Sequence, residues 1–152
     1  MDEDAQAIAE LVRVGLLAQD RATRALGADV LSIAPGRARL SMHVRADMLN
    51  GHQTCHGGFI AALADSAFAF ACNATNELTV AAGFSIDFFA PSRLGDVLTA
   101  SCVERSRGAR IGVYDVEVVN QRGEPVAAFR GRSYTLKGHA AVLPGAADAH
   151  GE

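Results

Sequence analysis

Asp65 is the only charged side chain in the run GGFIAALADSAFAFACN, Gly57 to Asn73. The run combines good helix formers with small or apolar residues on almost every face, the composition of a buried helix. A carboxylate in such a place is costly unless it is hydrogen-bonded, paired or neutralised. Three readings stand: Asp65 bonds a neighbouring hydroxyl, points to solvent, or works as a base or nucleophile. The helix begins at His56-Gly57-Gly58, and glycines at a helix start leave the first backbone N–H groups open to an approaching ligand. Those donors, with the positive end of the helix dipole, suit a developing oxyanion. The plainer alternative is a flexible joint between loop and helix.

Gly57 and Asp65 are eight residues apart, which at about 1.5 Å of rise per residue separates them by about 12 Å along the helix axis. One carbonyl cannot touch both. If both act on one substrate, two copies of the helix must pack with opposite polarity, Gly57 of one subunit facing Asp65 of the other. Twofold symmetry permits this and gives two equivalent sites per dimer.

Two other constellations carry less. Cys55 beside His56 offers a thiol, but adjacent side chains on a loop diverge and no third group orients them. His52 and His56 have the i, i+4 spacing of a metal pair, which requires a helix where this stretch reads as loop. No metal is expected.

The elements that must hold these residues are legible from periodicity. Residues 46–58 carry three glycines with Asn, Gln and Thr and no steady period, so they form a loop delivering the chain to the helix. Residues 5–26 read as an amphipathic helix, with Ile8, Leu11, Val12, Gly15 and Leu16 at three- and four-residue spacing and Gly27 placed to end it. Val30 and Ile33, then Ala38, Leu40, Met42 and Val44, predict two strands joined by a turn at Pro35-Gly36. Four further β-like runs follow, 80–89, 97–106, 111–120 and 126–134, separated by turns at Pro91-Ser92 with Gly95-Asp96, Arg107-Gly108 and Arg122-Gly123. Six strands at hairpin spacing predict an α+β fold in which an antiparallel sheet covers its apolar face with the central helix. Residues 1–137 form one domain on this reading, and the Ala- and Gly-rich tail 138–152 is expected to be poorly ordered.

With 152 residues the chain has room for one domain with a real core. No apolar run reaches the roughly 18 residues needed to span a bilayer, and the acidic start MDEDAQAIAE does not resemble a secretory signal. A soluble, cytoplasmic protein is expected. Cys55, Cys72 and Cys102 contain no CxxC pair and are expected as reduced thiols. A net charge of −3 gives no nucleic-acid footprint, so an anionic ligand must be met locally by arginines.

Three segments, MLNGHQTCHGGFIAALADSAFAFACN at 48–73, SIDFFAPSRLGDVLTA at 85–100 and GVYDVEVVNQRGEPVAAFRG at 112–131, together resemble the hotdog-fold acyl-CoA thioesterases of the PaaI-type branch associated with phenylacetate degradation. The resemblance runs from about Val30 to Tyr134. It implies a long central helix wrapped by an antiparallel sheet, sheets joined across a homodimer, and often a homotetramer. It implies that Asp65 is the catalytic carboxylate, that the Gly57 N–H polarises the thioester carbonyl, and that Asn50 and His56 line the site. Gly58 belongs with Gly57 among the open donors at the helix start.

Thioester hydrolysis needs a nucleophile and oxyanion stabilisation, with a thiolate as leaving group. Asp65 would act as general base on water or attack directly to give a mixed anhydride, while His56 would orient water or simply cap the loop. Coenzyme A, here part of the substrate and not a cofactor, carries phosphates that favour arginine. Arg93, Arg107 and Arg110 are the candidates, with Arg130 and Arg132 beside them. Phe59, Phe68 and Phe70 would either build an aromatic acyl pocket or belong to the core. The resemblance points to phenylacetyl-CoA or its ring-hydroxylated derivatives. Two competing readings share the fold: an acyl-CoA hydratase or dehydratase using His56 with Asp65, and a non-catalytic acyl-CoA-binding module.

Overall fold

The chain, as a computed structural model, is described over residues 2–143. It opens with α1 (Glu3–Gln19) and α2 (Arg21–Ala25), followed by the hairpin β1 (Asp29–Ala34) and β2 (Arg37–His43). A short 3-10 turn at Ala46–Met48 leads to α3 (Gly57–Asn73), and β3 (Glu77–Phe88), β4 (Val97–Arg107), β5 (Ile111–Val119) and β6 (Pro125–Ala140) complete the chain.

The single helix expected over 5–26 is two helices. Asp20 leaves the helical region at φ −83°, ψ 87°, and its carboxylate accepts from the Thr23 N–H at 2.9 Å and the Thr23 hydroxyl at 2.6 Å. An aspartate satisfies the orphan donors of a new helix start better than it continues an old one. Gly27, at φ +69°, ends α2 in the left-handed region that glycine adopts at little cost.

The six strands form one antiparallel sheet in the order β1-β2-β4-β5-β6-β3. Its inner face carries Leu40, Met42, Leu98, Ala100, Val116 and Phe129, all buried. The opposite face alternates to charge, with Asp115 gripped by Arg130 and Arg105. The inner face wraps α3, which packs against every strand. Leu63, Phe68 and Phe70 are at most 1 % exposed, each such burial contributing about 1.5–3 kcal/mol. The Phe68 ring lies so close to Gly131 that a Cβ there would sit 2.9 Å from it, so a side chain on β6 at this point would displace the helix.

The tail departs from expectation. β6 continues through Gly138 to Ala140, and beyond it Val142 packs on Gly15 of α1 while its N–H donates to Asn76 Oδ1 at 2.9 Å. Gly138 sits at φ +83° inside the strand, an irregularity that looks like a loop in sequence and is absorbed by the sheet. Residues 144–152 of the expected tail lie outside the described residues. Strand β3 lies at the edge of the sheet; Phe84 and Phe88, beside α3 on its inner face, are about half exposed.

Candidate active site

The loop before α3 is built by Asn50. Its Oδ1 accepts from the N–H groups of His52 and Thr54, and its Nδ2 donates to Thr54 Oγ1 at 3.0 Å. Gln53 is forced to φ +64° within this turn. The His56 N–H donates to the Met48 carbonyl and the Cys55 N–H to the Ser92 carbonyl, both at 2.7 Å, so the loop is fixed to its own start and to the 89–96 connection. Asn50 therefore shapes the loop through the backbone it holds.

At the helix start the first donors are not equivalent. His56 is the N-cap, and its Nδ1 accepts from the Gly58 N–H at 3.1 Å. The Phe59 N–H donates to the His56 carbonyl at 3.0 Å. The Gly57 N–H has no hydrogen-bond partner among the described residues. A Cβ on Gly57 would lie 3.0 Å from Phe88 Cζ, so glycine is what lets the ring pack this close to the helix start. Beside it opens a cavity of about 370 Å³ walled mainly by Cys55, Ile60, Phe88, Phe89 and Ser92. Of the two glycines expected as donors, only Gly57 is open; Gly58 is occupied by the cap.

Asp65 lies two turns further along α3, half-buried, and its carboxylate has no hydrogen-bond partner among the described residues. Burial first, and the charge of Asp20 second, hold its carboxyl above the usual carboxylate range. Its neighbour Ser66 is tied to Thr23 at 2.9 Å, which links α3 to the cap of α2. Within one chain Asp65 and Gly57 stay about 12 Å apart along the axis.

The arginines fall at two ends. Arg93 is exposed on the connection that carries Ser92, its N–H donating to Asp96 Oδ2. Arg107 lies beyond the far end of α3, donating to Thr75 Oγ1 at 3.1 Å and pairing with Glu77 at 3.8 Å. Arg110 is beside it in the turn after β4, donating to the Tyr134 hydroxyl at 3.2 Å. Arg130 is committed to Asp115 on the opposite face of the sheet.

The aromatic wall also differs from the sequence reading. Phe68 and Phe70 are core residues, whereas Phe88 and Phe89 from the end of β3 and its continuation line the cavity. The signal in sequence was the doublet Phe88-Phe89, where the inward and outward positions of a strand are both aromatic. Ser92, buried in the same wall, reads in sequence only as a turn residue. The Cys55 thiol, also in the wall, is pushed up by burial, which disfavours the thiolate a nucleophile requires. His52 lies on a turn and is exposed, and no group of three potential metal ligands occurs among the described residues.

Comparison with known proteins agrees with this fold. The Thioesterase superfamily profile matches residues 52–127. The acyl-coenzyme A thioesterase PaaI of Escherichia coli (strain K12) is 49 % identical over 119 residues, covering 78 % of this chain and 85 % of the relative. The structure of the E. coli PaaI protein from the phenylacetic acid degradation operon superposes with a TM-score of 0.86 at 44 % identity, covering 88 % of this chain and 97 % of that one. A Streptococcus mutans protein, smu.793, solved bound to acetyl-CoA, has a TM-score of 0.70 at 27 % identity over 72 % of this chain and 88 % of its own. With its sheet wrapped around α3 and a profile match spanning the helix start, the helix and the first three strands after it, the chain belongs to the thioesterase superfamily and has the hotdog fold.

Proposed function

We propose that the protein hydrolyses acyl-CoA thioesters to the free acid and coenzyme A, with phenylacetyl-CoA or a ring-hydroxylated phenylacetyl-CoA as substrate. The observation that carries the mechanism is the open Gly57 N–H at the start of a buried helix, facing a cavity walled by Phe88 and Phe89. The thioester carbonyl accepts from that N–H, and the aromatic wall receives the acyl group. The relative from E. coli, with its place in a phenylacetic acid operon, supports the aromatic acyl group. The acetyl-CoA-bound relative supports coenzyme A as the carrier.

Asp65 from a second copy completes the site. In a twofold pair of α3 helices of opposite polarity, the carboxylate stands across from Gly57 and takes a proton from water, or attacks the carbonyl carbon itself to give a mixed anhydride that water then hydrolyses to the free acid. As the C–S bond breaks the thiolate leaves with little need for an acid. The half-exposed Phe84 and Phe88 along edge strand β3 support pairing on this side of the molecule, because an apolar, unpaired edge is a template for a partner. A dimer of such dimers is the expected assembly. His56, whose Nδ1 is engaged as the cap, holds the loop; Arg93 meets coenzyme A phosphate at the near rim, and Arg107 and Arg110 enter from the second subunit. The three unpaired cysteines support a reducing, cytoplasmic setting.

The test is thiol release from a panel of acyl-CoAs by the wild type and Asp65→Asn, with folding and assembly checked for both. The wild type should release thiol fastest from the aromatic substrates, and the variant should lose at least about a hundredfold, the scale of a lost base or nucleophile. Rapid hydrolysis of a fatty acyl-CoA with none of phenylacetyl-CoA would overturn the aromatic assignment, and a fully active variant would remove Asp65 from the mechanism.

A further inference from the structure

The start of α3 offers a reacting carbonyl only one backbone donor. The Gly58 N–H is taken by His56 Nδ1 and the Phe59 N–H by the His56 carbonyl, which leaves Gly57 alone. An oxyanion forming in a largely apolar cavity gains from every donor aimed at it, and one N–H leaves part of its hydrogen-bonding capacity unmet. The same cavity wall holds a donor with no partner of its own. Ser92 is 1 % exposed, and its Oγ is the one buried side-chain nitrogen or oxygen among the described residues that lacks a hydrogen bond. Its position is fixed: its carbonyl accepts from the Cys55 N–H at 2.7 Å, two residues before Gly57, and Pro91 precedes it. Buried polar groups without partners are rare and costly, and they call for an explanation beyond the fold.

We propose that the Ser92 hydroxyl is the second donor to the thioester carbonyl oxygen, acting beside the Gly57 N–H. The inference rests on the thioesterase reading and adds a catalytic residue to it. In the free chain the hydroxyl is sheltered; rotation about χ1 to another staggered well turns it toward the cavity when the acyl group enters. During attack the carbonyl π pair moves onto oxygen, and the Ser92 O–H and Gly57 N–H both donate to it while keeping their protons. When the carbonyl re-forms, the C–S bond breaks and the thiolate departs with its electron pair, whether water or Asp65 made the attack.

Steady-state kinetics and thermal unfolding of Ser92→Ala and Ser92→Cys test this against the wild type, with the best substrate of the panel. Both variants should lose at least about tenfold in kcat, the effect of one neutral hydrogen bond made in the transition state, with KM changed less than about twofold. The melting temperature of Ser92→Ala should hold or rise, because the variant deletes a buried group that nothing in the fold satisfies. Cysteine keeps the shape and loses the strong donor, so wild-type kcat in Ser92→Cys would overturn the proposal by showing that only volume matters. A lower melting temperature with unchanged kcat in Ser92→Ala would overturn it too, by showing a structural hydroxyl held through water. A wild type that releases no thiol from any substrate would sink the thioesterase reading itself, and this inference with it.

Discussion

The two ends of α3 are built on opposite rules. At the C-terminal end Asn73 is buried and fully engaged: its Nδ2 donates to the carbonyls of Ala69 and Thr79, its Oδ1 accepts from the Thr79 N–H at 2.9 Å, and the Thr79 hydroxyl meets that of Thr135 at 3.1 Å. At the N-terminal end the Gly57 N–H and the Ser92 hydroxyl have no partners among the described residues, and neither has the Asp65 carboxylate midway along the helix. A polar network satisfied within the chain fixes the start of β3 against the helix. Polar groups left open at the other end are a cost to folding that, on the proposed mechanism, a substrate or a second subunit offsets. The contrast separates residues that hold the fold from residues proposed to serve the reaction.

Each end can be challenged separately. Asn73→Ala leaves the Thr79 N–H and C=O buried without partners and should cost about 2–4 kcal/mol, read as a lower urea midpoint at unchanged slope. The folded fraction should keep wild-type kcat; a selective loss of kcat would break the division. Gly57→Ala should do the reverse. The half-exposed Phe88 ring can yield to the new methyl, so stability should hold within about 1 kcal/mol, while the reshaped approach to the N–H should lower kcat/KM by about tenfold or more. An alanine variant with wild-type activity would remove the open donor from the mechanism.

The smallest effect expected is on pH dependence. On the proposed mechanism the ionised form of Asp65 is the reactive one, and its pKa is raised, so activity should fall as pH drops through that raised value. Asp20→Asn removes the second cause of the shift while keeping an acceptor for the Thr23 N–H, and should move the acid limb of the kcat profile to lower pH. An unmoved limb would separate Asp20 from the site. The stability sign is opposite to that of a paired carboxylate: a folded pKa above the unfolded one costs stability that builds as pH rises from the unfolded value through the folded one. Asp65→Asn should therefore melt higher than the wild type at neutral pH, with the difference fading below the unfolded carboxylate pKa.

The helix Gly57–Asn73 was legible in sequence to its last residue because glycines and a capping histidine mark its start and an unbroken small-and-apolar composition runs to Asn73. The strands were legible because one face is buried, which imposes the period of two. What stayed hidden depends on contacts far apart in sequence. The break at Asp20 is decided by an aspartate capping α2, beside a Thr23–Ser66 contact across 43 residues. The extension of β6 through Gly138 depends on pairing with β3, and Val142 finds its place only against Gly15. At the candidate site, Gly57, His56 and Asp65 announced themselves by residue type. The unequal donors of Gly57 and Gly58 and the orphaned Ser92 hydroxyl did not, since each is defined by the partners it has or lacks.

The three cysteines carry a practical consequence. Cys55, Cys72 and Cys102 are each at most 5 % exposed, and burial pushes the Cys72 thiol up to about 12 and raises the Cys102 thiol as well. A chromogenic disulfide reagent used to count released coenzyme A will therefore find almost no reactive protein thiol while the fold is intact. In denaturant the same reagent will find three, so one cuvette reports turnover in the native protein and, once urea is added, the rate at which the core opens.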